Sequence, residues 1–283
     1  MIFKKIDIWE NLIYEGEGED GFRPTLDIYI LDGSKKRGAV LICPGGAYVA
    51  VSANEAEPIA MQFNAAGFHA FVLNYSVAPR KHPQPLLDAS RAMCIIREKS
   101  DEWNIYPDRI AVCGFSAGGH LAASLGVHWE KSYIQNAQGV NSGMNRPDAL
   151  ILCYSVITSG EFGDMYSFNK LLGEDADEEL LHEMSVECHV NEQTPPAFIW
   201  HTCNDEDTNV ENSMLFGEAM RKKNIPFELH IFQDGPHGLS LATAETDDGA
   251  NGVYPHVATW LKLCVEWLEL LFPSPDAAGE MTG

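Results

Sequence analysis

Basic residues are scarce in this 283-residue chain: 19 Lys and Arg stand against 41 Asp and Glu, a formal net charge of −22. A surface of that sign repels phosphate backbones and anionic headgroups. Neither nucleic acid nor a membrane is expected as a partner, and neutral or cationic substrates are favoured over anionic ones. Long apolar runs are missing too; none approaches the roughly 20 residues that a membrane-spanning helix needs. The first stretch, MIFKKIDIWENLIYEGEGED, has no apolar core ending in a small-residue cleavage site. It does not read as a secretory signal, so a cytoplasmic location is expected. Paired cysteine motifs are absent. The seven cysteines, at 43, 94, 113, 153, 188, 203 and 264, are odd in number, include no CxxC and fall partly inside apolar runs. That is the usage of buried reduced thiols, not of a disulfide framework. No Cys/His spacing suits zinc, and no motif calls for an organic cofactor, so neither is expected.

What is present is an ordinary globular composition, 45% hydrophobic and 21% charged, in a chain long enough for a large core. Short β-rich runs alternate with helical stretches. GAVLIC (38–43), FHAFVLNY (68–75), RIAVCG (109–114), DALILCYS (148–155), PAFIWHT (196–202) and PFELHIF (226–232) read as strands. Helices are expected over Glu55–Ala66, Leu86–Lys99, after residue 116, over Val210–Lys223 and over His256–Leu271. Such alternation implies an α/β fold with a mainly parallel sheet flanked by helices on both faces. Residues 1–32 look like added antiparallel edge strands around an acidic loop, EGEGEDG. The polar, acidic span 156–195 interrupts the alternation and reads as a small insertion able to form a cap. One domain over 1–272 is expected, with a disordered tail at 273–283.

The strand RIAVCG runs into GFSAGGHL, which places Ser116 between Gly114 and Gly118 with a helix-compatible run behind it. Strand, sharp turn and helix are what a nucleophile elbow requires. The turn strains the serine backbone, small neighbours avoid collision, and the next N–H, that of Ala117, faces the reacting carbonyl oxygen. The alternative is a glycine-lined turn with no chemistry. A serine hydroxyl needs a base. Of the ten histidines, His237 follows the last strand on a Gly/Pro loop, DGPHGLSL. His230 lies inside a strand, His256 opens a helix, and His120 points into the helix after the serine. A carboxylate must orient the base. The stretch CNDEDTNVEN after PAFIWHT offers Asp205, Glu206 and Asp207, with Asp207 the competitor of Asp205, and each also suits a helix start. Developing negative charge needs preset donors. Pro44-Gly45-Gly46-Ala47-Tyr48 follows GAVLIC, small enough for close backbone approach, although an ordinary Pro-Gly turn reads the same way.

Five stretches now stand together: LICPGGAY, LNYSVAPRKHPQPLLDASRA, IAVCGFSAGGHLAASLG, FIWHTCNDEDTNVENS and HIFQDGPHGLSL. With them the chain resembles the carbohydrate-esterase and acetyl-esterase branch of the α/β-hydrolases, near the hormone-sensitive-lipase-like esterases and the feruloyl or acetylxylan esterases. The resemblance spans about 40 to 241 and implies an α/β-hydrolase fold. It implies Ser116 as nucleophile, His237 as base and Asp205 as the acid, with oxyanion N–H groups from Gly46, Ala47 and Ala117. Pro44 stands where the family's HGGG loop has histidine, Ala47 where it has its last glycine, and Asn209 where a proline often follows the acid. The activity so implied is hydrolysis of short acyl esters on small molecules, O-acetyl sugars among them, through an acyl-enzyme and without a cofactor. A peptidase of the same fold and a non-catalytic binder on a hydrolase scaffold are the alternatives. NYSVAPRKHPQPLLDA reads as structural, with Asp88 and Arg91 expected to pair near the nucleophile helix. Tyr48, Tyr154 and Tyr166 suit either a substrate pocket or the core.

Overall fold

The computed structural model describes residues 1–249 and 251–273. One eight-stranded sheet organises them: β1 (Ile2–Asp7), β2 (Thr25–Ile30), β3 (Arg37–Cys43), β4 (His69–Asn74), β5 (Ile105–Phe115), β6 (Ala149–Cys153), β7 (Ala197–Thr202) and β8 (Phe227–Phe232). Their order across the sheet is β1-β2-β4-β3-β5-β6-β7-β8. The first two strands pair antiparallel, as the N-terminal pattern predicts, and β2 meets β4 antiparallel. From β4 to β8 every pairing is parallel.

Period-two alternation explains why both faces carry helices. Along β3, Ala39, Leu41 and Cys43 enter one core while Val40 and Ile42 enter the other. Along β5, Ile110 and Val112 face the first core and Ala111, Cys113 and Phe115 the second. A strand apolar on both sides must be covered on both sides. The first face is covered by α2 (Gln84–Glu98) and α3 (Ser116–His128), together with a short α4 (Ser132–Gln135) that the sequence pattern does not foretell. The second is covered by α1 (Glu57–Ala65) and by the final helix, which brings Trp260, Cys264 and Leu268 against Phe198 and Trp200.

Proline sets two helix starts away from the expected ones. A proline near the start of α1 and another near that of α2 supply the preset backbone angle of a first turn, so α2 begins at Gln84 rather than Leu86. Glu55 belongs to a separate 3-10 turn, Ala53–Glu55, and its side chain is buried. The expected Asp88–Arg91 pair does not form. Asp88 is fully buried and accepts bonds from the Trp9 indole (2.8 Å), the Gln84 amide (2.9 Å) and the Ser76 N–H (2.8 Å). Arg91 instead reaches the carbonyls of Ile8 and Gly139 and the Glu98 carboxylate. Three donors fix the buried Asp88 carboxylate, which joins the N-terminal segment to α2, while Arg91 is held by partners of its own. Burial raises this carboxyl to about 6 despite those bonds.

The span 156–195 holds α5 (Met165–Leu172), α6 (Glu178–Met184) and a 3-10 turn, Val186–His189. It is tied to α3 by His120 Nε2 on the Met184 carbonyl (2.8 Å) and His128 Nε2 on the Glu183 carbonyl (2.9 Å). Between β7 and β8 runs α7 (Glu211–Lys222), and α8 (Trp260–Leu271) closes the fold after a 3-10 turn at Val257–Thr259. The tail expected to be disordered lies, from 274 onward, outside the described residues. Among the described residues no helix is long and apolar enough to cross a membrane, and the seven cysteines are free, five of them buried.

Candidate active site

The parallel strands β3, β5, β7 and β8 all end at one rim of the sheet, and the loops leaving them carry the chemistry. β5 stops at Phe115, and Ser116 opens α3 with φ of 51°, left-handed backbone that a side-chain-bearing residue adopts only under constraint. The flanking glycines show the constraint. A Cβ on Gly114 would collide with the Gly118 carbonyl, and one on Gly118 with the carbonyls of Cys43 and Pro44. The turn therefore packs directly onto the loop after β3, and glycine at both places is a matter of space.

Ser116 Oγ lies 2.8 Å from Nε2 of His237, which sits on the loop after β8. His237 Nδ1 lies 2.7 Å from Oδ2 of Asp205, on the loop after β7. Of the two carboxylates left open above, Asp205 makes this contact. Asp207 contributes its backbone N–H to Asp205 Oδ1 (3.0 Å), beside that of Thr208 (2.9 Å). Since an ionised carboxylate only accepts, His237 donates from Nδ1 and accepts the serine proton at Nε2.

Asp205 is further fixed by His201, a buried residue of β7 that the sequence pattern passes over. His201 Nε2 is 2.8 Å from the Thr208 carbonyl and 3.2 Å from Asp205 Oδ2, and its Nδ1 is 2.8 Å from Ser213 Oγ. A carbonyl can only accept, so Nε2 carries the proton and points it toward the Asp205 oxygen as well. Burial alone would raise the Asp205 carboxyl. The bonds from His201 and His237, the His237 charge and the Thr208 N–H outweigh it and hold Asp205 well below the usual carboxylate range. Burial likewise opposes a charge on His237, but the Asp205 carboxylate, with Glu55 and Asp207, raises it above its ordinary value.

The loop after β3 makes the opposite wall. Gly46 (φ 129°), Ala47 (φ 50°) and Tyr48 (φ 56°) all take positive φ, so the departure of Ala47 from glycine is met by strain of about 1–3 kcal/mol rather than by another path. Anchors hold it there: the Tyr75 hydroxyl on the Pro44 carbonyl (2.6 Å), the Ala78 N–H on the Tyr48 carbonyl (2.7 Å) and the Tyr48 hydroxyl with His120 Nδ1 (2.8 Å). Gly45 gives its N–H to Glu55 Oε2 (2.7 Å) and is thereby occupied. Gly46 and Ala47 line the cavity beside Ser116.

That cavity measures about 580 Å³. Its lining includes the carboxylates Glu55, Asp164, Asp207 and Asp248, with neither lysine nor arginine. Tyr166, 56% exposed, lines it, whereas Tyr48 and Tyr154 are buried. From the 156–195 span only Asp164 and Tyr166 reach this lining. Among the described residues no cluster of three or more His, Cys, Asp or Glu could hold a metal. His230, within β8, holds its ring tilted against Phe198 of β7 and bonds Glu228 (3.1 Å); His256 is exposed and contacts the Phe232 ring.

Known proteins resemble this chain in sequence and fold. The BD-FAE family profile matches residues 26–220. An endo-1,4-β-xylanase B of Butyrivibrio fibrisolvens is 39% identical over 250 residues, 87% of this chain and 39% of its own. An acetylxylan esterase of Xylanibacter ruminicola is 29% identical over 211 residues, 72% of this chain and 42% of its own. The chain thus spans about two fifths of the length of these curated relatives. The crystal structure of an acetyl ester-xyloside bifunctional hydrolase from Caldicellulosiruptor lactoaceticus superposes with a TM-score of 0.87 at 43% identity, covering 95% of this chain and 96% of that one. A carboxylesterase from Lactobacillus plantarum superposes with a TM-score of 0.80 at 25% identity, covering 95% and 97%. A sheet of this order, a serine in the turn after its central strand and a profile match over most of its length make this chain a member of the BD-FAE family, with the α/β-hydrolase fold.

Proposed function

We propose that the protein is a serine carboxylesterase that removes short acyl groups, acetyl first among them, from neutral hydroxyl-bearing molecules such as sugars. The observation that carries this reading is the unbroken contact from Ser116 through His237 to Asp205 at the floor of an open cavity. Ser116 Oγ attacks the ester carbonyl as His237 Nε2 takes its proton. Asp205 keeps the imidazole in the required tautomer and stabilises the cation. The N–H groups of Gly46, Ala47 and Ala117 receive the oxyanion. His237 then protonates the departing alcohol, leaving an acyl group on Ser116. Water gives its proton to His237 as it attacks that acyl group; the acid leaves and the serine is restored.

Substrate class follows from the walls. Four carboxylates and no cation make an anionic alcohol or acyl part unfavourable, while carboxylates and the exposed Tyr166 ring suit hydroxyls and the flat face of a sugar. The names of the relatives from Xylanibacter ruminicola and Caldicellulosiruptor lactoaceticus support acetyl esters as the first panel. We take residues 1–272 as one catalytic domain with 156–195 as a side insertion, and a reducing, cytoplasmic setting on the strength of the free thiols.

The test is reaction with a fluorophosphonate, mass spectrometry of the labelled peptide, and turnover of p-nitrophenyl acetate and acetylated xylose. Label on Ser116, with Ser116→Ala losing turnover by at least about 10³-fold, is expected. Full hydrolysis by Ser116→Ala would sink the mechanism.

A further inference from the structure

Glu55 has no part in the relay, yet it is only 4% exposed and sits between the two halves of the site. Its Oε2 accepts the Gly45 N–H (2.7 Å), at the root of the loop that presents Gly46 and Ala47. Its Oε1 accepts the Tyr154 hydroxyl (2.6 Å), just past the end of β6. The Tyr154 oxygen in turn accepts the N–H of Ser240 (2.9 Å), three residues beyond His237 on the same loop. Ser240 Oγ donates back to the Asn54 carbonyl (2.6 Å), next to Glu55, and the Ser240 carbonyl takes the Trp260 indole N–H (2.9 Å). Both Tyr154 (φ 38°) and Ser240 (φ 51°) hold left-handed backbone, and the Tyr154 ring stands edge-on to His237 at 5.1 Å.

We propose that Glu55 and Tyr154 are positioning residues that lock the oxyanion loop to the base loop, with Glu55 serving His237 as a second fixed carboxylate besides Asp205. This rests on the reading of Ser116 and His237 as nucleophile and base. The Gly45 N–H donates to Glu55 Oε2, the Tyr154 hydroxyl to Glu55 Oε1 and the Ser240 N–H to the Tyr154 oxygen, so both Glu55 oxygens accept, an arrangement that suits an ionised carboxylate. Burial raises the Glu55 carboxyl; the Tyr154 and Gly45 donors and the His237 charge act against it. The charged groups acting on His237 are Asp205 and Asp207 from the β7–α7 loop and Glu55 from the turn before α1; Asp164 and Asp248 line the same cavity. Nothing larger than glycine fits at 45, where a Cβ would lie 2.8 Å from Glu55 Oε2 and 2.9 Å from Ser116 Cβ. The carboxylate and the nucleophile thus bracket the same point of backbone.

Glu55→Gln keeps the shape and removes the charge. The expected result is a fall in kcat of roughly 10- to 100-fold with KM little changed. The acid limb of kcat/KM should move to lower pH by roughly 0.5 unit or more, because His237 loses a neighbouring negative charge. Tyr154→Phe keeps the carboxylate but cuts both bonds through the phenol oxygen. It should lower kcat by about 10-fold and slow fluorophosphonate labelling of Ser116 in parallel. Wild-type kcat and an unmoved acid limb in Glu55→Gln, or wild-type labelling in Tyr154→Phe, would overturn the proposal. If the parent protein itself fails to label at Ser116, the reading of the site falls first. If it labels and the variants behave like it, only the role of Glu55 and Tyr154 falls.

Discussion

The two arms of the site are held by different means. The acid arm, Asp205 and His237, is held by short-range bonds onto one carboxylate that is 5% exposed: the His201 ring and the backbone N–H groups of Asp207 and Thr208 converge on it. The oxyanion arm, Gly45–Tyr48, is held by strained backbone and by anchors from elsewhere in the chain, namely Glu55, Tyr75 and Ala78. Charge can be fixed by a few strong local bonds. A row of N–H groups has to be fixed by constraining the chain that carries them, and that takes contacts of long sequence separation.

The largest effect should come from the acid arm. Asp205→Asn is expected to lower kcat/KM by about 10³–10⁴-fold, since the amide no longer enforces the tautomer. Asp207→Asn should stay within about threefold, because its bond to Asp205 comes from the backbone. Comparable losses in steady-state kinetics would mean that the two carboxylates share the role. The oxyanion arm should break next: Gly45→Ala forces a methyl against Glu55, Phe115 and Ser116 and should lower kcat about 10²-fold, with KM less affected. An unchanged kcat would show that the loop relaxes freely.

The pH dependence separates the arms more finely. His237 is raised by Asp205, so kcat/KM should climb as pH rises through a value above that of an ordinary histidine, and Asp205→Asn should move this limb down. Asp205 itself is depressed when folded. Its contribution to stability is therefore present above the ordinary carboxylate value of 3.8 and fades as pH falls from there toward the lowered one. Melting curves of parent and Asp205→Asn should converge in that acid range; a constant gap would contradict the assignment. The smallest effect is expected for Ala47→Gly. Relief of left-handed strain should stabilise the protein by up to about 1 kcal/mol, a rise in Tm of roughly 2–4 °C, with kcat within a few-fold. A lowered Tm would show that the loop gains more from a stiff alanine than it loses in strain.

Much of this was readable in advance, for identifiable reasons. The parallel strands announce themselves because β3, β5 and β6 are apolar on both faces and each ends in Gly, Pro or a polar turn. Gly114 and Gly118 mark the turn at Ser116 by their spacing; the collision avoided at Gly114 is local, whereas the one avoided at Gly118, with the carbonyls of Cys43 and Pro44, shows only in the folded chain. His237 stands out by its place after the last strand. Glu55 and Tyr154 do not stand out: one looks like an acid at a helix start, the other like a core aromatic, and they meet across 99 residues of chain. His201 is equally silent inside a strand. The Asp88–Arg91 expectation failed for the same reason, since the donors that satisfy Asp88 come from Trp9 and Ser76, which no helical spacing reveals.

Short-range pattern thus settled the alternation of strands and helices, the strained turn at Ser116 and the loops on which a base and an acid would lie. Those are consequences of side-chain period and of sterics within a few residues, and they hold wherever the segment is placed. The contact of His237 with Asp205 rather than Asp207, which short-range pattern leaves open and only the family resemblance implies, the strain stored at Ala47 and the bonding of Glu55 belong to the folded chain. A buried hydrogen bond depends on which partner arrives at about 2.7–3.2 Å with water excluded. Only the packing of β3, β6, β7 and the His237 loop at one rim of the sheet decides who arrives.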